Sequence, residues 1–383
     1  MIDLDYNATT PLDPEVAALM AHVATHVPGN AASIQHGVGS DAAQVVERAR
    51  HQVGRVLDVS PNSIVWTSGA TEGLHLAIVG LVGAAPLHKR TIVIGATEHK
   101  AAFASAEFCR RLLGAELRVA TPTTDGQVLA STVESLIDDS VCAVVCMHSN
   151  NETGVVNPIA DVSDICRARR IPLICDLTQS IGKWDLTSVF DACDLATFSA
   201  HKFYGPKGTG VLIADSHTRR RMVAALAGGG QESGLRGGTV NTPGVAAMAL
   251  AVELAVSRVD SATAHYQRLS MGLISALTAQ LNGLEVIGVD APRIPNTQNV
   301  RFRGADAEAV MANMPQLAVS TGSACNAAVS GPSHVLLSMG MDSQSASECI
   351  RFSFGLPTSM GDVNAAAGQI VSAVERVRRL NAA

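Results

Sequence analysis

A chain of 383 residues, 47% hydrophobic and only 16% charged, has the material for a substantial core, which excludes intrinsic disorder and predicts one large domain and one smaller one. A net charge of −6, spread along the chain, gives no footing for non-specific nucleic-acid or membrane-surface binding. No run of about 18 apolar residues occurs and MIDLDYNATT lacks the pattern of a signal peptide, so the expected location is the cytoplasm.

Aromatic residues are just 3%, so Ala, Val, Leu and Ile must build the interior, as suits helices packed closely on a sheet. The eight cysteines are scattered without a CxxC pair, so neither a disulfide framework nor a zinc site is indicated. Cys142, Cys146, Cys166, Cys175, Cys193 and Cys349 lie in apolar surroundings and read as small core residues. Cys325 stands apart from them.

Residues 5–11 form a polar loop, after which Asp13 caps a helix with Pro14 at its first position. A second loop over 29–37 leads into a helix carrying Val45, Val46, Ala49, Val53 and Val56. Residues 63–66 read as a strand, followed by Thr67-Ser68-Gly69-Ala70-Thr71-Glu72 and a helix spaced by Leu74, Ala77, Ile78, Leu81 and Val82. Strand, glycine turn and helix start together offer backbone N–H groups and a dipole to an anion. An ordinary helix start has the same pattern, so on these residues both readings stay open.

Further strands are predicted at 91–96, 141–147 and 172–175, ending respectively in Glu98-His99-Lys100, His148-Ser149-Asn150-Asn151 and Asp176-Leu177-Thr178-Gln179. The run 194–198 passes through Ser199, His201 and Lys202 and a breaker-rich stretch into a second apolar run at 210–214. A lysine between two buried strands is either a solvated turn residue or, in a desolvated cationic setting, a nucleophile able to form a Schiff base. Repeated passage from apolar strand through polar residues to helix is the doubly wound α/β pattern, whose sites lie at the carboxyl ends of the strands. His99, Asn151, Asp176, Gln179 and Lys202 would converge there.

The glycine-dense segment 228–239 matches neither a dinucleotide fingerprint nor a P-loop. Its Arg, Glu and Thr fit an ordered anion-binding loop, while its glycines also fit a linker. An Ala-rich helix over about 244–258 precedes a change of pattern that marks the second domain. That domain ends with Ser320-Thr321-Gly322-Ser323-Ala324-Cys325-Asn326 and a strand at 350–354.

The motifs TSGATE, EHK, NNETG, DLTQ, SAHKFYGPKGTG, GGGQESGLRGGT and STGSAC, in this order and spacing, resemble the cysteine desulfurases of the class V aminotransferase fold. The resemblance spans nearly the whole chain, from DYNATTPLDPEV to IRFSFG, and the Cys325 loop is similar to that of the NifS and IscS group. It implies an α/β fold of the aspartate aminotransferase-like, pyridoxal-phosphate-dependent transferase kind. A large, mainly parallel-sheet domain would occupy 16–254. A smaller α+β domain would combine 1–15 with 255–383 and carry the Cys325 loop.

The implied cofactor is pyridoxal 5′-phosphate (PLP), held by Lys202 as a Schiff base. The resemblance implies that Asp176 pairs with the pyridinium nitrogen, His99 stacks on the ring, and Gln179 donates to the phenolate oxygen. Asn151 would orient ring and substrate. Ala70, Thr71, Ser199 and His201 would hold the phosphate, and Thr239 would reach the phosphate in the other subunit of a homodimer. Arg351 would clamp the substrate carboxylate bidentately. Cys325 would take sulfur from L-cysteine as a persulfide, leave L-alanine, and pass the sulfur to a protein acceptor.

Three positions depart from the family pattern. Leu177 stands where alanine usually follows the aspartate, and it is expected to press on the ring. His36-Gly37-Val38-Gly39 lacks a frequent arginine, and His75 replaces a common asparagine. The competing functions are another class V reaction, such as transamination or a selenocysteine or cysteine-sulfinate lyase, and an inactive sulfur-transfer scaffold.

Overall fold

A computed structural model of the protein describes residues 1–322 and 331–382. Its strands are β1 (Ile2–Asp3), β2 (Ile64–Thr67), β3 (Thr91–Gly95), β4 (Glu116–Ala120), β5 (Val141–Val145), β6 (Leu173–Asp176), β7 (Leu195–Ser199) and β8 (Gly210–Ala214), followed by β9 (Leu284–Val286), β10 (Thr297–Phe302), β11 (Leu317–Ala318) and β12 (Cys349–Ser353). Seven of them form one sheet in the order β2-β8-β7-β6-β5-β3-β4. The five from β3 to β7 are parallel, and β8 runs antiparallel to both β7 and β2. The fold is α/β with a mainly parallel sheet, as expected.

Every residue of β2, β3, β5, β6, β7 and β8 is buried, which explains why these strands read as unbroken apolar runs rather than alternating ones. Alternate residues serve two different cores. Ile92, Ile94, Val145, Ile174 and Leu212 pack under helices Ala70–Ala84 and Lys100–Leu113. Val93, Val144, Cys175, Phe198 and Val211 face the opposite side, with helices Gly37–Leu57, Ile159–Arg169 and Thr242–Ser257. The edge strand β4 is exposed at Glu116 and Val119, and its Glu116 and Arg118 hide it from an apolar-run reading.

A further core joins Tyr266, Leu269 and Leu273 of helix Val259–Thr278 to Val300, Phe302, Ile350 and Phe352 of the antiparallel sheet β12-β10-β9. Helix Met360–Asn381 covers it with Val363, Ile370 and Val374. Leu4 belongs to this core, because β1 crosses over to pair in parallel with β11. The crossing draws residues 5–10 over the carboxyl ends of the large sheet. There Thr10 N–H donates to His201 O at 2.9 Å and Asp13 N–H to Tyr204 O at 2.9 Å.

Candidate active site

A cleft of about 450 Å³ opens at the carboxyl ends of the parallel strands, beside the point where β3 has β4 on one side and β5 on the other. A doubly wound sheet leaves a crevice at such a switch point. Lys202 ends the short 3-10 turn Ala200–Lys202 between β7 and β8. Its Nζ donates to Asn7 O at 2.8 Å and Ala8 O at 2.6 Å, so the N-terminal loop fixes where the amine sits.

Asp176, the last residue of β6, is 4% exposed, and its Oδ1 accepts from Thr178 N–H at 2.9 Å. His99 caps helix Lys100–Leu113, with Nδ1 accepting from Ala101 N–H at 3.1 Å. An acceptor role for Nδ1 leaves the proton of the neutral ring on Nε2. Burial is the main force holding His99 below the ordinary imidazole range; Lys202, His334 and Lys100 add to it and Asp176 opposes it. The ring is therefore uncharged at neutral pH.

Behind these groups lies Glu98, fully buried, with Oε1 accepting from Met147 N–H at 2.5 Å and Oε2 without a partner among the described residues. Burial pushes its carboxyl up to about 8, aided by the charge of Asp176 and opposed by the Met147 bond. Gln179 lies at the base of the cleft, where its Nε2 donates to Asn7 O at 3.1 Å.

The polar end of the cleft is built on helix Ala70–Ala84, whose N-terminus opens into it beside Thr71, Ser199 and His201. Ala70 N–H already donates to Ser199 Oγ at 2.7 Å, so that amide is engaged within the protein. His201 contacts Thr9 Oγ1 through Nδ1 at 3.1 Å; burial first, then Lys202, Lys207 and Lys183, bring its pKa to about 4. Opposite, Arg351 on β12 donates from Nη1 to Asn151 O at 3.0 Å and from Nη2 to Asp5 Oδ1 at 2.6 Å. Its Nε is buried with no partner among the described residues. A guanidinium has five N–H donors in a fixed fork, which can donate to a carboxylate.

His99, Asn151, Asp176, Gln179 and Lys202, expected from the strand pattern to converge, line one cleft together with Ala70, Thr71, Ser199, His201 and Arg351, which the resemblance had grouped with them. Thr239 is exposed and does not line it. The loop before Thr239 is fastened elsewhere, by Glu232 to Arg50 at 3.0 Å and by Arg236 to Glu72 at 2.8 Å. Cys325 lies outside the described residues, while Gly322, shortly before it in the chain, lines the cleft.

The expectation for Leu177 is corrected. Its N–H donates to Thr197 O at 2.8 Å, continuing the ladder beyond β6, so its side chain alternates away from Asp176 into the large core, where it is fully buried. Thr178 is the residue that faces the cleft. His36 serves as the N-cap of helix Gly37–Leu57, and His75 packs against Phe108 outside the cleft lining. Asp5, Asn7 and Ala8 line the site but read from sequence only as a polar loop. No local signal reveals them, because their place depends on β1 pairing with a strand more than 300 residues away.

The donor set fits PLP. An amine between two strands, a buried carboxylate, an uncharged imidazole, a hydroxyl-lined helix N-terminus and an orphaned guanidinium N–H supply a partner for each part of that cofactor and an amino-acid substrate. Together with the sheet, they define a transferase fold of the PLP-dependent kind.

A model of the family described as aminotransferase class-V matches residues 2–365. A cysteine desulfurase from Frankia sp. (strain EuIK1) is 39% identical over 392 residues, covering 100% of this chain and 93% of that protein. Among solved structures, a NifS-like protein superposes with a TM-score of 0.88 at 31% identity, covering 98% of this chain and 99% of its own. A structure described as SspA in complex with cysteine gives a TM-score of 0.80 at 29% identity, covering 92% and 99%. The chain belongs to the class-V aminotransferase family and, within it, to the cysteine desulfurases.

Proposed function

We propose that the protein takes L-cysteine as substrate, holds PLP on Lys202, and moves the substrate sulfur to Cys325 as a persulfide for hand-off to a protein acceptor. The observation that carries this reading is the meeting in one cleft of Lys202, an amine for the cofactor, and Arg351, a guanidinium for the substrate carboxylate. The structure described as SspA in complex with cysteine supports the choice of amino acid.

Bound PLP supplies an electron sink for bond cleavage at the substrate carbons. The protein's own residues do the rest. Asp176 would hold the proton on the ring nitrogen, His99 would cover a ring face, and Gln179 would donate to the phenolate oxygen. Thr71, Ser199 and His201 would cradle the phosphate, and Ala70 would reach it by sharing the amide now bound to Ser199. Asn151 and Arg351 would orient the substrate, with the guanidinium facing its carboxylate. As the C–S bond breaks, its electron pair stays with carbon, which takes a proton and leaves as alanine. Sulfur arrives on the Cys325 thiolate at the sulfane level, so no outside oxidant or reductant is needed.

The working unit is a homodimer in the cytoplasm, with Thr239 of each subunit serving the other's phosphate site. Exposure of Thr239 beyond its own cleft supports that arrangement. The test is production of alanine and sulfide from L-cysteine by purified protein and by Cys325→Ala. The variant should keep bound PLP and release almost no alanine. Wild-type rates in Cys325→Ala would instead favour a lyase that frees sulfur without a cysteine nucleophile.

A further inference from the structure

Lys183 is a buried lysine, 5% exposed, with no carboxylate at ion-pair distance among the described residues. The acid lining the same small cavity, Asp13, is engaged by Arg258 at 2.9 Å. Its charged neighbours are Lys202 and Arg351, both cations, and after burial they contribute to bringing its pKa to about 7. A lysine in such a place is costly, and a methionine would fill the same volume without that cost. What Lys183 does have is one short hydrogen bond, from Nζ to Gln179 Oε1 at 2.8 Å.

That bond decides which way the Gln179 amide faces. An amine donates to a carbonyl oxygen whether or not it carries the extra proton, so Oε1 is held toward Lys183. Nε2 is then turned the other way, where one of its hydrogens goes to Asn7 O at 3.1 Å and the second remains for the cleft. A flipped amide would offer the cleft an oxygen, and two lone pairs would meet at a phenolate.

We propose that Lys183 is a positioning residue for the cofactor, fixing the Gln179 amide so that an N–H, not an oxygen, faces the phenolate oxygen of PLP. The inference rests on the reading that Lys202 binds PLP in this cleft, and it reaches back from that site to a residue that does not line it.

The experiment is a spectroscopic titration of the holoenzyme, reading the pH at which the visible band of the lysine-bound cofactor shifts. A donor on the phenolate stabilises its charge and weakens its hold on the neighbouring imine proton, so that proton leaves at lower pH. Lys183→Met should raise the transition by roughly one to two pH units, the size expected for losing a hydrogen bond to a charged oxygen. Gln179→Met should raise it similarly, and the double variant should match Gln179→Met alone, because Lys183 acts through Gln179.

No shift in Lys183→Met would overturn the proposal. An equal further shift in the Gln179→Met background would also overturn it, because the lysine charge would then act on the cofactor directly. Failure of Lys183→Met to fold or to bind PLP would count against it too, since methionine removes only the hydrogen bond and an unpaired cation. A wild-type protein with no lysine-bound cofactor band would instead defeat the functional reading on which the proposal rests.

Discussion

Glu98 sets the acid–base character of the wall behind the cleft. Its carboxyl, pushed up to about 8 by burial, would titrate near 4.3 in the unfolded chain, by the order-of-magnitude value for an unperturbed glutamate. Between those values the folded protein holds a proton that the unfolded chain has released. Stability therefore falls as pH rises through that window and levels off above about 8. Glu98→Gln mimics the protonated carboxyl and keeps an oxygen for Met147 N–H, so it should fold and lose most of that slope. Thermal unfolding followed from acid to mildly alkaline pH measures it. An unchanged slope in the variant would assign the titration to another group.

The sequence made the cleft residues legible where polar chemistry punctuates a buried strand. His99, Asn151, Asp176 and Lys202 each follow an apolar run, and the sheet brings those ends together. Leu177 and Thr178 show where that reading stops. Which of two adjacent residues faces the cleft depends on how far the ladder continues past Asp176, and a single hydrogen bond to Thr197 O decides it. Asp5, Asn7 and Ala8 were illegible for a different reason: only closure of the N-terminus onto β11 carries them to the site.

At the scale of elements, the approach of helix Ala70–Ala84 to the sheet positions the polar end of the cleft. Gly73 makes that approach possible. A Cβ there would lie 2.0 Å from Thr197 Oγ1, and Thr197 is fully buried and bonded to Val211 O at 2.8 Å. Neither partner has room to move, so Gly73→Ala must lift the helix or shift β7. It is expected to destabilise the fold by about 1–3 kcal/mol, the usual range for overpacking, and to weaken cofactor retention because the helix N-terminus moves with it. Chemical denaturation and the cofactor content after dialysis measure the two effects. Wild-type values in both would mean that the helix start does not depend on this contact. The long apolar strands were readable from their composition, whereas β4 was not, since an exposed edge strand carries the same polar residues as a loop.

Across the whole molecule, two cores meet at the cleft. The large sheet supplies Lys202, Asp176 and His99, and the smaller antiparallel sheet supplies Arg351 on β12. In the proposed function, cofactor chemistry and substrate recognition would thus sit on separate structural units, which the N-terminal segment ties together through Asn7 and Asp5. Division of the chain into 16–254 and 1–15 with 255–383 is our proposed boundary between those units, and Val16 and Leu4 do fall in different cores. Gly322 reaches the cleft from the smaller unit.

The most direct test is the mass of the peptide containing Cys325 after the holoenzyme has been exposed briefly to L-cysteine. The account predicts one added sulfur on Cys325, removable by a thiol reductant and absent when Lys202→Ala is treated in the same way. Alanine released at the full rate with no sulfur ever found on Cys325 would contradict it.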